Sequence, residues 1–184
     1  MHIPDGFIDI PTSAAFAAIA AGAVAVSLKG AKSSLDDKTA PLAGLTATFI
    51  FAVQMLNFPV AAGTSGHLLG AALATVLVGP YAATLALTIV LLLQALLFAD
   101  GGLSALGLSA FNMSIVAVWV SYAIFFTLKK ILPKTKSSTA AAAGIAALIS
   151  VPAAAASFVL QYAIGANATF SVSAVLAAMI GTHV

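Results

Sequence analysis

The sequence predicts an all-α integral membrane protein, a single bundle of about seven transmembrane helices. Three observations carry that reading. The 184 residues are 62% hydrophobic and only 7% charged, whereas a soluble domain draws on about a quarter charged residues for its surface. The apolar residues fall in long runs that read as helices. All seven basic residues are lysines confined to two short stretches, the pattern that loops on one side of a membrane produce. The length suits one domain, residues 1–184. With no cysteine in the chain, disulfides and thiolate metal sites are excluded, and any metal ligands have to be nitrogen or oxygen. A net charge of +2 made by clustered lysines, with no basic stripe interleaved with aromatics, gives no footing for nucleic acid.

The apolar runs, in order, are 12–28, 39–58, 67–78, 81–98, 106–128, 139–164 and 170–184. A membrane span needs about 20 apolar residues, within a range of about 17–25, so the third run is short and the seventh marginal. Gly79-Pro80 separates the third run from the fourth, because proline removes a backbone donor and disfavours helix in the residue before it. The third run is therefore expected to be a partial helix packed inside protein, where broken backbone is tolerated at membrane depth. Lys29, Lys32 and Lys38 follow the first helix, and Lys129, Lys130, Lys134 and Lys136 follow the fifth. Both lysine loops are expected on the cytoplasmic side. Crossing parity agrees only if the third and fourth runs together enter and leave the membrane. The N-terminus and the loops 57–66 and 99–105 then share the outer side, which brings Met1, His2, His67 and Asp100 to one face.

The N-terminus has acidic residues, Asp5 and Asp9, and no lysine before its first apolar run. A secretory signal would carry positive charge there, so the segment is expected to be retained and to face outward. A side chain as large as His2 also protects the initiator methionine from removal. Pro4 and Gly6 make a turn, through which the segment can fold back into the bundle.

Met1-His2 can offer three nitrogens to one divalent metal: the terminal amine, the His2 amide once deprotonated and the His2 imidazole, closing two adjoining chelate rings. The other histidine in the front half of the chain is His67, in Gly63-Thr64-Ser65-Gly66-His67, and its nitrogen would complete a tetragonal site. Such a site suits Ni(II) or Cu(II) best and also accommodates Co(II). The plain alternative is that a histidine at position two is accidental. Gln54, Asn57, Gln94 and Asn112 are costly in hydrocarbon unless paired, so they are expected to face the bundle interior. They either hold helices together or, with Thr64 and Ser65, orient a metal-bound imidazole, for which Gln54, Asn57, Thr64 and Ser65 are the nearest in sequence. Asp100 either draws a dication to the mouth or caps a turn beside Gly101-Gly102. Rows of small residues, Ala14-Ala18-Gly22 and Ala142-Ala146-Ser150, either pack the bundle internally or meet a partner.

Four stretches then match a known family in order. Met1-His2-Ile3-Pro4-Asp5-Gly6-Phe7, Phe51-Ala52-Val53-Gln54-Met55-Leu56-Asn57-Phe58-Pro59-Val60, Gly63-Thr64-Ser65-Gly66-His67-Leu68-Leu69-Gly70 and Gln94-Ala95-Leu96-Leu97-Phe98-Ala99-Asp100-Gly101-Gly102 resemble the CbiM/NikM family, the substrate-binding components of cobalt/nickel energy-coupling-factor transporters. The resemblance implies a metal-capture subunit with one helix more than the usual six. It also implies a metal held by the amine and amide nitrogens of Met1 and His2 and by the imidazoles of His2 and His67. The transported Ni2+ or Co2+ would be the ligand, with no permanent cofactor. The implied partners are a transmembrane coupling subunit, two ATPase subunits and a small accessory membrane subunit, in the lipid of a prokaryotic cell membrane, supplying cobalamin biosynthesis or nickel enzymes. Relatives continue past a stretch like Gly181-Thr182-His183, whereas this sequence stops at Val184, so a shortened C-terminus is expected. His183 is either a coupling residue or a histidine bonded within the bundle.

The sequence holds no nucleotide-binding Gly-x-x-x-x-Gly-Lys-[Ser/Thr] loop and no His-Glu-x-x-His pair, so it reads as a non-enzymatic subunit dependent on ATPase partners. Two rivals stand beside this: an ATP-independent metal channel or secondary transporter, and an energy-coupling-factor subunit for a vitamin. No carboxylate lies inside an apolar run to line a channel, and Trp119, the single tryptophan, sits away from the expected outer site.

Overall fold

A computed structural model describes residues 1–59, 65–167 and 169–183. Helix α1, Ile10–Ser34, opens on Asp9, whose Oδ1 accepts the Thr12 N–H at 2.8 Å. That bond satisfies a donor which the first helical turn leaves without a partner. Asp36 does the same for α2, Thr39–Gln54, accepting from the amides of Lys38 and Thr39 at 3.0 and 2.7 Å. A two-residue antiparallel pair, β1 Phe58–Pro59 with β2 Ser65–Gly66, sits where the sequence suggested only a loop. Next come α3, Ala71–Phe98; α4, Leu106–Ala110; a π-helical turn, Phe111–Val116; and α5, Ala117–Ile131. The chain ends with α6, Lys136–Gly165, and α7, Val172–His183.

Among the described residues four helices are long and apolar enough to cross a membrane: Ile10–Ser34, Ala71–Phe98, Leu106–Ile131 and Lys136–Gly165. This is an integral membrane protein. With Leu106–Ile131 taken as one, the described residues form six helices where the sequence suggests seven. The difference lies in α3. Its backbone leaves the helical region at Gly79, with φ 78° and ψ 167°, one residue before Pro80. A straight helix of these 28 residues would be about 42 Å long. Yet Gly70, at one end, lies against the Ile50 side chain, and Phe98, at the other, packs edge-on against Phe51 at 5.5 Å. Ile50 and Phe51 are neighbours on α2, so α3 doubles back at Gly79, and its arms 71–78 and 80–98 lie side by side. A positive φ of this size suits glycine, which has no Cβ to clash.

Other boundaries shift for local reasons. Lys29 and Lys32 fall within the last turns of α1, and Lys129 and Lys130 within the last turn of α5, not in the loops. Cations suit a helix C-terminus because the macrodipole is negative there. The Ala142-Ala146-Ser150 row is buried, so on α6 the small residues pack the bundle, whereas Ala14, Ala18 and Gly22 on α1 face outward. Gln54, Gln94 and Asn112 are fully buried, as expected of amides inside apolar runs, but Asn57 is exposed at the end of the α2 connection. Trp119 packs edge-on against Tyr81, and the Tyr81 ring covers Gly30 near the end of α1. That is the end of the bundle opposite the N-terminal residues. The side chain of His183 lies outside the described residues.

Candidate metal centre

Residues 1–9 run as a strap across one end of the bundle. Gly6, at φ 75°, and the Phe7 N–H donated to the Pro4 carbonyl at 3.3 Å form the turn expected from Pro4 and Gly6. On one side the Gly102 N–H donates to the Ile3 carbonyl at 2.8 Å, and Asp5 Oδ1 accepts from the Ser104 amide and hydroxyl at 2.8 and 2.5 Å. On the other side Asn167 donates to the Phe7 carbonyl at 3.2 Å and Asp9 to the Gly165 carbonyl at 2.7 Å. The Phe7 ring meets those of Tyr162 and Phe158 at 5.1 and 6.0 Å. From the bundle interior Ser109 Oγ accepts the Ile3 N–H at 3.3 Å. Gly102 has to be glycine, since a Cβ there would run into the Asp5 amide and carboxyl. Pinned this way, Met1 is 1% and His2 4% exposed.

His67 is delivered by the hook between β2 and α3. Gly66 pairs with Phe58, the Leu69 carbonyl accepts Gln54 Nε2 at 2.7 Å, and Gly70 starts α3 at φ 77°. His67 is 5% exposed, and its Nδ1 lies 2.9 Å from the Leu68 carbonyl. A carbonyl oxygen only accepts, so Nδ1 carries the proton and Nε2 keeps its lone pair. That Nε2 lies 3.1 Å from the amine nitrogen of Met1. Two nitrogens bound side by side to one metal at about 2.0–2.1 Å would stand about 2.9 Å apart, so little movement separates this hydrogen bond from a shared ion. The imidazoles of His2 and His67 have centroids 4.8 Å apart, tilted by 40°.

Burial tunes these donors. It pushes the Met1 amine from its ordinary value near 8 down to about 5, against the opposing pull of the Asp100 carboxylate. It also pushes His2 from 6.5 down to about 3, helped by the nearby amine. Both groups are therefore neutral at pH 7, with lone pairs available. His2 Nε2 is buried, has no hydrogen-bond partner among the described residues, and lies 3.6 Å from Asp100 Oδ2. Asp100 sits just after α3, where Ala99 turns left-handed at φ 53° and the Asp100 N–H donates to the Gln94 carbonyl at 3.1 Å. Asn57 Nδ2 donates to the same Oδ2 at 3.2 Å.

The fold thus brings together Met1, His2, His67, Asp100 and Asn57, and links Gln54 to them through Leu69. Thr64 and the Ser65 side chain fall outside the described residues. Sequence reasoning did not single out Ser104, Ser109 or the carboxylate of Asp5 as partners of the strap. The Gly101-Gly102 doublet marked a turn but not the close approach that it permits. Among the described residues no three His, Asp or Glu side chains are grouped to hold a metal, so an ion here would have to draw on main-chain nitrogen.

Residues 2–184 match the family described as CbiM, the cobalt uptake substrate-specific transmembrane region. The chain belongs to the CbiM family. It is 42% identical over 130 residues to an Archaeoglobus fulgidus protein provisionally named a fused nickel transport protein, NikMN, a match taking in 71% of this chain and 43% of that one. It is 36% identical over 132 residues to the cobalt transport protein CbiM of Clostridioides difficile, over 71% and 53% of the two chains. The CbiM-family match thus spans about half the length of these curated relatives. A crystal structure of a transition metal transporter superposes with a TM-score of 0.90 at 30% identity, covering 100% of this chain and 84% of that one.

Proposed function

We propose that this chain captures Ni2+ or Co2+ at the outer face of a prokaryotic cell membrane, as the substrate-specificity subunit of an ATP-driven energy-coupling-factor transporter. The single observation that carries the reading is the buried, neutral Met1 amine 3.1 Å from the lone pair of His67 Nε2. Around that pair the donor set is the Met1 amine, the deprotonated His2 amide, His2 Nδ1 and His67 Nε2. Nδ1 is the His2 nitrogen that can close a ring with its own amide, which leaves Nε2–H to face Asp100. A carboxylate behind a metal-bound imidazole fixes its tautomer and raises its basicity. Four nitrogens with two adjoining chelate rings favour Ni(II) and tolerate Co(II), in keeping with the nickel and cobalt named for the relatives.

The topology follows the same reading. The strap lies at one end of the bundle and both lysine clusters at the other, which supports an outer strap and a cytoplasmic lysine end. The arms of α3 then enter and leave from the outer side, so that seven segments are counted across the bundle. A transmembrane coupling subunit and two ATPase subunits, with a small accessory membrane subunit, would turn ATP hydrolysis into inward release. The cargo would serve cobalamin biosynthesis or nickel enzymes.

The test is elemental analysis of the purified protein with its native N-terminus beside a version carrying Gly-Ser before Met1. The native form is expected to hold about one Ni or Co, and the extended form none. Equal metal in both forms would remove the amine from the ligand set.

A further inference from the structure

Outside the nitrogen cluster lies a cavity of about 330 Å³, bounded by His2, Pro4, Asp5 and the 99–102 loop. We propose that this cavity is an encounter site for a hydrated divalent cation, where Asp5 and Asp100 hold the aqua ion before it sheds water onto the nitrogens behind His2. The inference rests on the metal-capture reading above. Size allows it: six waters at about 30 Å³ each come to about 180 Å³. Charge favours it, because the cavity wall carries two carboxylates while the lysines of α1 and α5 lie at the far end of the bundle. The wall also carries the imidazole of His2. His2 Nε2 is buried, without a hydrogen-bond partner among the described residues, and 3.6 Å from Asp100 Oδ2. That separation is too long for a hydrogen bond, and a water of the hydration shell would satisfy both groups. Glycine at 101 and 102 keeps the chamber open, since a Cβ at Gly101 would lie 3.1 Å from His2 Nδ1.

Dehydration of a first-row dication is slow beside diffusion. An outer chamber that concentrates the aqua ion therefore sets how often a ligand exchange succeeds. The signature is two-step association. Stopped-flow mixing of Ni2+ with the purified full chain at low ionic strength is expected to give an observed rate that levels off with metal concentration. Asp5→Asn keeps an oxygen to accept the Ser104 bonds but removes the charge, and should raise the half-saturating concentration about tenfold, the Coulomb effect of one carboxylate beside a dication in water. Ser104→Ala removes the hydroxyl bond and keeps the charge, and should leave half-saturation within about twofold. Asp9→Asn removes a carboxylate at the same end that caps α1 outside the chamber, and should also shift it by less than about twofold. A rate that stays linear into millimolar Ni2+, or an equal shift from Asp9→Asn, overturns the encounter site. Tight binding by the Gly-Ser-extended chain would instead overturn the nitrogen ligands, so the two failures are distinguishable.

Discussion

Two of the buried polar clusters among the described residues are built on opposite principles. In the first, Asn112 on the π-helical turn donates to Gln161 Oε1 at 2.8 Å and accepts the Ser157 hydroxyl at 2.7 Å. Asn112 and Gln161 are fully buried, and of their amide atoms only Gln161 Nε2 lacks a partner among the described residues. In the second, the Met1 amine, His2 and His67 are likewise buried, burial holds the amine and His2 neutral, and His2 Nε2 lacks a hydrogen-bond partner among the described residues. Pairing joins α6 to the π-helical turn through amides that have little left to offer a ligand. A neutral amine set against an imidazole nitrogen carries basic lone pairs that a cation can take in exchange for a hydrogen bond. Burial alone does not mark a functional polar group; what separates the clusters is that a carboxamide nitrogen has no lone pair to give a cation, while a neutral amine or imidazole nitrogen has one.

The largest effect that would break this contrast is expected from His67→Ala. An outer-shell change already costs about 10–100-fold in metal affinity, and loss of a ligand should exceed that. Competition titration against a chromophoric chelator would read it, and a loss under tenfold would put His67 outside the ligand set. Asp100→Asn, which keeps an acceptor for Asn57, should cost about 10–100-fold by loosening His2. An unchanged Kd would remove Asp100 from the site.

Acidity sharpens the comparison further. With the amine lowered to about 5 and His2 to about 3, the docked strap binds fewer protons than a released one as pH falls from about 8 through 5 and from 6.5 through 3. Its docking is therefore fully stabilised above pH 8 and weakens as pH falls through those windows. At pH 7 a docked strap has only the amide proton to lose, so Ni2+ affinity should change by about tenfold per pH unit and become steeper below about pH 5. Calorimetry in buffers of different ionisation enthalpy should count one proton released per metal at pH 7. Two protons there would mean that the amine is charged before binding. The smallest metal effect belongs to the other cluster. Asn112→Leu should destabilise the fold by about 1–3 kcal/mol by orphaning its partners, read as a lower denaturation midpoint in detergent, with Kd for Ni2+ changed less than about twofold. A loss of affinity rivalling that of His67→Ala would erase the distinction between the clusters.

Much of this was legible in the residues. The Gly79-Pro80 break acts through adjacent residues, and the amides at 54, 94 and 112 were expected inward because each stands in an apolar run whose hydropathy reports depth. Asn57 was misread because it sits beyond the end of α2, where hydropathy no longer reports depth. The β1–β2 pair and the π-helical turn were not anticipated, since two-residue pairing and one extra residue in a turn leave no periodic signal. Asp5 looked like a topological charge and proved to be an anchor for Ser104, a contact spanning 99 residues of sequence.

By itself the sequence determined the membrane class and the kind of donors available. Composition decides what can be solvated, and the chelate rings of Met1-His2 are a matter of covalent geometry. Tertiary structure alone decided that the amine of residue 1 meets the imidazole of residue 67, that the Leu68 carbonyl turns Nε2 toward that amine, and that the amine is neutral at pH 7. Proton affinity depends on everything packed around a group. Here that packing comes from α3, α6 and the loop between α3 and α4, elements far apart in the chain that only the fold assembles.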